Sequence, residues 1–231
     1  MSRRGEILKE MGLAPLWRLR AGPAQEVRVA SGEEKTRAEP TQAIDVPSLD
    51  WPQLKAKVAG CTDCKLRAGC KQTVFGVGDE KAQWLLVGEA PGSEEDRLGE
   101  PFVGQAGKLL DNMLAAISLS RGRNVYIANV LKCRPPGNRN PEPDEVAKCA
   151  PHLLRQIELI RPKLILAMGR FAAQTLLGTD ATIASLRGKV HQYAGVPLIV
   201  TYHPAYLLRN LPDKSKAWAD LVFAKKTIAE Y

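Results

Sequence analysis

Trp84-Leu85-Leu86-Val87-Gly88-Glu89-Ala90-Pro91-Gly92 is the stretch from which the fold can be read. Four apolar residues run into Gly88 and a turn closed by Pro91 and Gly92. A short apolar run bounded by glycine and proline reads as a buried strand. In an open parallel sheet the ligand site lies just past the carboxyl ends of the strands, so Glu89 is the first candidate for chemistry. Three other segments repeat the pattern: Val125–Ala128 runs into Asn129, Leu164–Met168 into Gly169-Arg170, and Pro197–Tyr202 into His203-Pro204. Helical patterns separate them, which predicts an α/β fold of three αβα layers around a four-stranded parallel sheet with right-handed crossovers. Glu89, Asn129 and His203 then converge on one edge, and a carboxylate, a carboxamide and an imidazole gathered there make a candidate active site.

Length and composition bound the rest. A chain of 231 residues, 45% hydrophobic, can bury one good core, so one domain with extras is expected. No apolar run approaches the roughly 18–20 residues of a membrane span, and Met1-Ser-Arg-Arg-Gly-Glu lacks the apolar region of a signal peptide. A cytoplasmic monomer that touches no membrane is the expectation. Residues 1–50 hold 8 basic and 8 acidic side chains, so the whole net charge of +8 falls on the remainder. A basic globular body suits a polyanion such as DNA, because counterion release drives that association; a merely basic enzyme explains charge alone equally well.

Five cysteines in such a chain argue against a disulfide framework. Cys61-x2-Cys64, Cys70, Cys133 and Cys149 are spaced for a metal instead. Four soft thiolates suit zinc or an iron–sulfur cluster, and spacing chooses neither between these nor among the five possible quartets.

Taken in order, residues 5–20 predict a short helix followed by a segment bearing Trp17, and the chain from 21 to about 50 is rich in Ala, Glu, Pro, Ser and Thr. That composition cannot bury enough surface to order itself. The division expected is a partner-docking motif over 1–22, a disordered linker over 23–50 and a globular domain over 51–231. Within the domain, a glycine-rich turn at Gly104–Gly107 opens an amphipathic helix expected to turn Leu109, Leu110, Met113, Leu114 and Ile117 inward. The proline-rich stretch after Cys133 predicts an exposed loop. A helix from Asp144 to about Arg161 carries Cys149, and another closes the chain over 215–228.

Gly88-Glu-Ala-Pro-Gly92, Pro101-Phe-Val-Gly104, Asn129 ahead of Lys132-Cys-Arg-Pro-Pro136, and His203-Pro-Ala-Tyr-Leu-Leu-Arg209 together resemble the family 4, iron–sulfur uracil-DNA glycosylases over residues 55–228. The resemblance implies a DNA-repair enzyme that flips uracil out of single- or double-stranded DNA and hydrolyses its N-glycosidic bond, leaving an abasic site. It implies a structural 4Fe-4S cluster on Cys61, Cys64, Cys133 and Cys149, with Cys70 an ordinary thiol and no catalytic metal. It implies a uracil pocket of Gly88, Glu89, Ala90, Phe102, Asn129 and His203. There Phe102 stacks on the base, Asn129 reads N3–H and O4, His203 donates to O2 as charge builds, and Glu89 positions water or stabilises the sugar cation. Tyr206, Leu207, Leu208 and Arg209 resemble the loop that wedges into the vacated stack, Leu207 or Leu208 inserting, with Arg209, Arg134 and Arg139 as phosphate contacts. A related branch that traps uracil on a histidine carries an inserted loop absent from Arg134–Asn140, so turnover is expected. Residues 5–20 resemble the clamp-loader psi subunit's chi-binding peptide, which makes the chi subunit a candidate partner near the nucleoid. The competing readings are a non-catalytic replisome adaptor that only binds DNA and a zinc-stabilised nucleotide-binding domain.

Overall fold

The computed structural model of the protein describes residues 46–231. The expected docking motif over 1–22 and nearly all of the expected linker lie outside the described residues. The described residues begin a little before the expected domain boundary at 51. Val46–Ser48 form a 3-10 turn, and Leu49 is 2% exposed, packed with Leu54 and Val58. Leu49 sits on the folded body because Arg155 Nε donates to its carbonyl at 2.6 Å. The first helix, α1 (Trp51–Ala59), starts where Asp50 and Gln53 form a reciprocal capping box, which satisfies two otherwise orphaned N–H groups.

Six strands form one sheet: β1 (Val77–Gly78), β2 (Trp84–Gly88), β3 (Val125–Asn129), β4 (Leu164–Met168), β5 (His191–Tyr193) and β6 (Val196–Thr201), in the order β1-β3-β2-β4-β6-β5. The four central strands are parallel, as the apolar runs predict. The sheet is wider than the expected four because β1 and β5 add antiparallel edges. These strands are only two and three residues long and partly exposed, so they carry no apolar run to betray them.

Alternate residues of each central strand point to opposite faces. On one face Trp84, Leu86, Ile127, Leu166 and Ile199 pack with Leu110, Met113 and Leu114 of the helix Gln105–Ala116 and with Leu221 and Ala224 of the helix Lys214–Ile228. On the other, Leu85, Val87, Ala128, Ile165, Ala167 and Val200 pack with Leu153 and Ile157 of the helix Pro143–Ile160 and with Ala172 and Ala173 of the helix Arg170–Leu177. These two cores make the three layers. Because β3 follows β2 on one side and β4 on the other, the chain reverses direction across the sheet between β2 and β4. That reversal is where an open α/β sheet leaves a crevice.

Two close approaches set the geometry beside that crevice. Gly88 pairs with Asn129 across the β2/β3 ladder, and a Cβ on Gly88 would lie 2.4 Å from Asn129 Oδ1 and 2.7 Å from the Phe102 ring. A Cβ on Gly107 would lie 1.7 Å from the Phe102 carbonyl oxygen, a backbone atom with nowhere to go. Gly107→Ala should therefore lower unfolding stability by roughly 2–4 kcal/mol, as overpacking against rigid backbone does. Denaturant unfolding of the variant beside wild type checks this, and an unchanged midpoint would show that the helix start can shift.

Candidate active site

The polar strand ends meet as expected. Glu89, Asn129 and His203 line one cleft with Phe102, Tyr206 and Arg209. Asn129 is 2% exposed, and its Oδ1 has no hydrogen-bond partner. Burying an unpaired carbonyl costs about 1–3 kcal/mol, so this atom is poised to accept from a group that enters the cleft. Behind it, Lys132 Nζ donates to the Asn129 backbone carbonyl at 2.9 Å and to Gln156 Oε1 at 2.6 Å, which ties down the end of β3.

His203 has a defined tautomer. Its Nδ1 accepts from the Ala205 N–H at 3.1 Å, which leaves the proton on Nε2. Burial pushes its pKa down to about 4, against the pull of the Glu95 carboxylate and with Arg209 adding to the push. The ring is therefore a neutral donor at ordinary pH. It stacks against Phe102, with centroids 5.4 Å apart and planes 30° from parallel. The strand end before it is braced by a buried chain: Arg187 pairs with Asp220 at 2.6 Å, and Thr201 Oγ1 donates to the same carboxylate at 2.8 Å. Arg187 also lies over the Tyr202 ring at 4.7 Å.

Glu89 has the opposite environment. Burial raises its pKa to about 7, partly offset by the positive charge of Arg170. Arg170 also lines the cleft, and its guanidinium sits over Phe171 at 4.7 Å. The crevice between β2 and β4 is thus flanked by the residue that follows each strand, Glu89 and, after Gly169, Arg170. Sequence reasoning passed over Arg170 although the strand-end rule that selects Glu89 also points to it.

Phe102 is the strained member. Its φ of 56° lies in the left-handed region, which costs a non-glycine residue on the order of 1–2 kcal/mol. Two side chains hold it there. Arg121 donates to the carbonyls of Pro101 and Phe102, both at 2.8 Å, while Asp111 pairs with its guanidinium at 3.0 Å. Glu95 accepts from the N–H groups of Val103 and Gly104 at 3.0 and 3.2 Å, and with its other oxygen from Gly92 at 3.1 Å. One carboxylate thereby locks the aromatic loop to the turn that carries Glu89. Neither holder stands out in the sequence, although Glu95, three residues after the helix-capping Gly92, bears the mark of a capping box.

The expected DNA contacts divide. Leu207 is 1% exposed and packs into the core with Phe102 and Leu221, so it cannot insert into a helix stack. Leu208 is 42% exposed and free to do so. Tyr206 stacks on Tyr202 at 5.1 Å and donates its hydroxyl proton to Asp213, which stiffens the turn beneath Leu208. Arg139 also differs from expectation. Its guanidinium forks onto the fully buried carboxylate of Glu145, so its charge is already paired and a phosphate would have to share it. Arg134 donates from Nε to Asn138 at 2.7 Å and braces the proline-rich loop. Arg209 is exposed on the cleft rim.

None of the five cysteines is in a disulfide. Cys61, Cys64, Cys133 and Cys149 line a single cavity walled by Val58, Leu66 and Leu131. The Lys132 N–H points at Cys149 Sγ at 3.3 Å, the kind of donor that anionic sulfur accepts. Cys70 does not line this cavity. It packs behind Cys133, and its thiol donates to the Arg67 carbonyl at 3.7 Å. Four soft donors around one apolar-walled space fit a thiolate-bound metal centre.

Comparison with known proteins agrees with this geometry. The family model described as the Uracil DNA glycosylase superfamily matches residues 75–222. The chain is 50% identical over 169 residues to the type-4 uracil-DNA glycosylase of Archaeoglobus fulgidus, covering 70% of this chain and 83% of that one. It is 45% identical over 166 residues to the Sulfurisphaera tokodaii enzyme of the same name, covering 68% and 76%. Against the Pyrobaculum aerophilum type-4 enzyme it is 42% identical over 181 residues, covering 75% and 92%.

If Glu95 is what locks the Phe102 loop, Glu95→Ala should speed amide hydrogen exchange at Gly92, Val103 and Gly104 by about tenfold or more, since three charge-assisted bonds are lost. Exchange in the β2 and β3 amides should stay at the wild-type rate. Equal exchange at all three loop amides in both proteins would show that Arg121 alone holds the strain.

Proposed function

The chain belongs to the uracil-DNA glycosylase superfamily, alongside its type-4 members, and from that premise we propose that it excises uracil from DNA by hydrolysis of the N-glycosidic bond. The observation that carries the reading is the unpaired, buried Oδ1 of Asn129 at the floor of the cleft. Uracil presents a donor at N3 beside an acceptor at O4, and a carboxamide matches both, with Oδ1 accepting from N3–H and Nδ2 donating to O4. Cytosine presents the reverse pattern, so the same atoms reject it.

A base inside a duplex is out of reach, so the uracil must leave the stack to enter the cleft. Leu208, exposed on a stiffened turn, is suited to fill the gap, and Arg209 on the rim is suited to a phosphate. Phe102 contributes stacking, worth roughly 1–3 kcal/mol per base, and the clamps on its backbone mean that this face need not be ordered when the base arrives. As the glycosidic bond breaks, the electron pair departs with the base and negative charge gathers on O2. Nε2–H of His203 is the donor for that oxygen. Its neutrality matters: a neutral donor stabilises developing charge without first having to lose or gain a proton. Glu89, as a carboxylate, follows the end of β2 on the wall of the same cleft. There it orients the water that attacks the sugar and steadies the cation that precedes attack. Water adds at the sugar carbon, and the proton it gives up ends on the departed base, so free uracil and an abasic site remain.

The thiol cavity supports a 4Fe-4S cluster on Cys61, Cys64, Cys133 and Cys149, given its four facing thiols and the exclusion of Cys70. When bound, the cluster supplies a crosslink among three distant segments and carries no step of the hydrolysis. Among the described residues, no helix is long and apolar enough to cross a membrane.

Release of uracil from a labelled single-uracil oligonucleotide tests the assignment. His203→Ala should lose roughly 10²–10³-fold in kcat, the usual loss for one donor to a developing anion. No release by cluster-loaded wild type from either single- or double-stranded DNA would leave only a DNA-binding role. The pH profile should climb toward neutral. Glu89 works deprotonated and its pKa is raised to about 7, so the rate should fall about tenfold per pH unit below that value. His203, neutral down to about pH 4, should add no limb between pH 5 and 8. A flat profile from pH 5.5 to 8 would remove Glu89 from the water-positioning role.

A further inference from the structure

Among the described residues only two side chains bury polar atoms that have no partner: Asn129 at Oδ1, and His152 at both ring nitrogens. The first is accounted for by the incoming base. The second lies on the other side of the sheet edge. His152 is 1% exposed and stands three residues after Cys149 on the helix Pro143–Ile160. Its ring lines the same cavity as the four cysteines, and a ring nitrogen comes within 4.8 Å of Cys61 Sγ.

A neutral imidazole always carries one N–H, whichever tautomer it adopts. Burying that donor among leucines and thiols leaves it unpaired, with the Asp63 carboxylate within 4.8 Å yet not hydrogen-bonded to it, and a phenylalanine or leucine would fill the space without that penalty. The arrangement makes sense if an acceptor fills the cavity. A cubane cluster offers several, because its bridging sulfides and cysteinate sulfurs are electron-rich. Four cysteines already give each iron one protein ligand, so the imidazole is not needed as a fifth. We propose that His152 donates a hydrogen bond to a cluster sulfur on the Cys61 side, and so sets the cluster's reduction potential. This rests on the iron–sulfur reading of the four-cysteine cavity. Hydrogen bonds to cluster sulfur stabilise the more electron-rich, reduced state and raise the potential. His152 would thus hold the potential above that of a cluster in a purely apolar wall.

The test uses the holoprotein, isolated without oxygen, beside His152→Leu and His152→Gln. Iron and acid-labile sulfide are assayed first. The midpoint potential then comes from a redox titration followed by electron paramagnetic resonance, and pulsed spectra of the reduced cluster are taken in H2O and D2O. The expected result is full iron content in the variants, a more negative midpoint in His152→Leu, and an intermediate one in His152→Gln, which keeps a donor. The wild-type spectrum should show an exchangeable proton and a weakly coupled nitrogen that His152→Leu lacks. An unchanged midpoint with the same proton coupling in His152→Leu would overturn the proposal, as would a strong nitrogen coupling of the kind an iron-bound imidazole gives. Should His152→Leu fail to hold iron, the wild-type spectrum and His152→Gln decide, and a wild type without the exchangeable proton coupling counts against the bond. Colourless wild-type protein holding zinc would fail the cluster reading itself, and the proposal with it.

Discussion

The site depends on the absence of a side chain at Gly88. Strand β2 ends there in register with Asn129 on β3, and the space a Cβ would take is filled by Asn129 Oδ1 and the edge of Phe102. Gly88, expected as part of the uracil pocket, therefore stands behind the cleft lining rather than in it, with a carboxamide and an aromatic ring drawn in against its backbone. Everything nearby serves to keep those two groups in place. Gly107 gives way to the Phe102 carbonyl, while Arg121 and Glu95 fix the backbone on either side of that strained residue. Lys132 holds the carbonyl of Asn129 from behind. The strain at Phe102 is modest beside several charge-assisted bonds, so the folded protein can hold a conformation that a free loop would seldom visit.

Such stiffness suits the chemistry. A donor aimed at developing charge is most effective when it does not have to reorganise during the reaction. His203 meets that condition through a backbone N–H that selects its tautomer and a burial that keeps it neutral. Glu89 is pushed the other way, toward a pKa near neutrality. One cleft thus shifts a base and an acid in opposite directions by the same physical cause, desolvation. The cation that tempers Glu89, Arg170, enters from the neighbouring strand across the crevice.

The thiol cavity and the cleft are two ends of one short segment. Between Asn129 and Cys133 the chain passes through Lys132, whose side chain holds the Asn129 carbonyl while its backbone N–H faces Cys149. A centre bound by the four cysteines would pin this segment to the helix carrying Cys149 and to the loop carrying Cys61 and Cys64. Loss of that centre would free the end of β3 and, with it, the carboxamide of Asn129.

Phe102 aside, which only the family resemblance supplied, the sequence by itself determined the parallel core, the edge where polar residues gather, and Glu89, Asn129 and His203 as its occupants. Those are local signals: an apolar run, the glycine or proline that ends it, and the polar residue at the break. Cysteine spacing marked a metal site without choosing which four of the five residues bind, and the apolar-run signal missed β1 and β5, which are too short to carry a pattern. Tertiary structure decided what depends on distant partners. Leu207 and Leu208 look alike in sequence, yet only the first packs onto Leu221 in the core while the second meets solvent. Arg139 looks as free as Arg209 until Glu145 is found buried beneath it. Glu95 looks like a surface charge until its loop brings three N–H groups to it. Exposure, pairing and protonation are properties of the space around a side chain, and that space is made by residues far away along the chain.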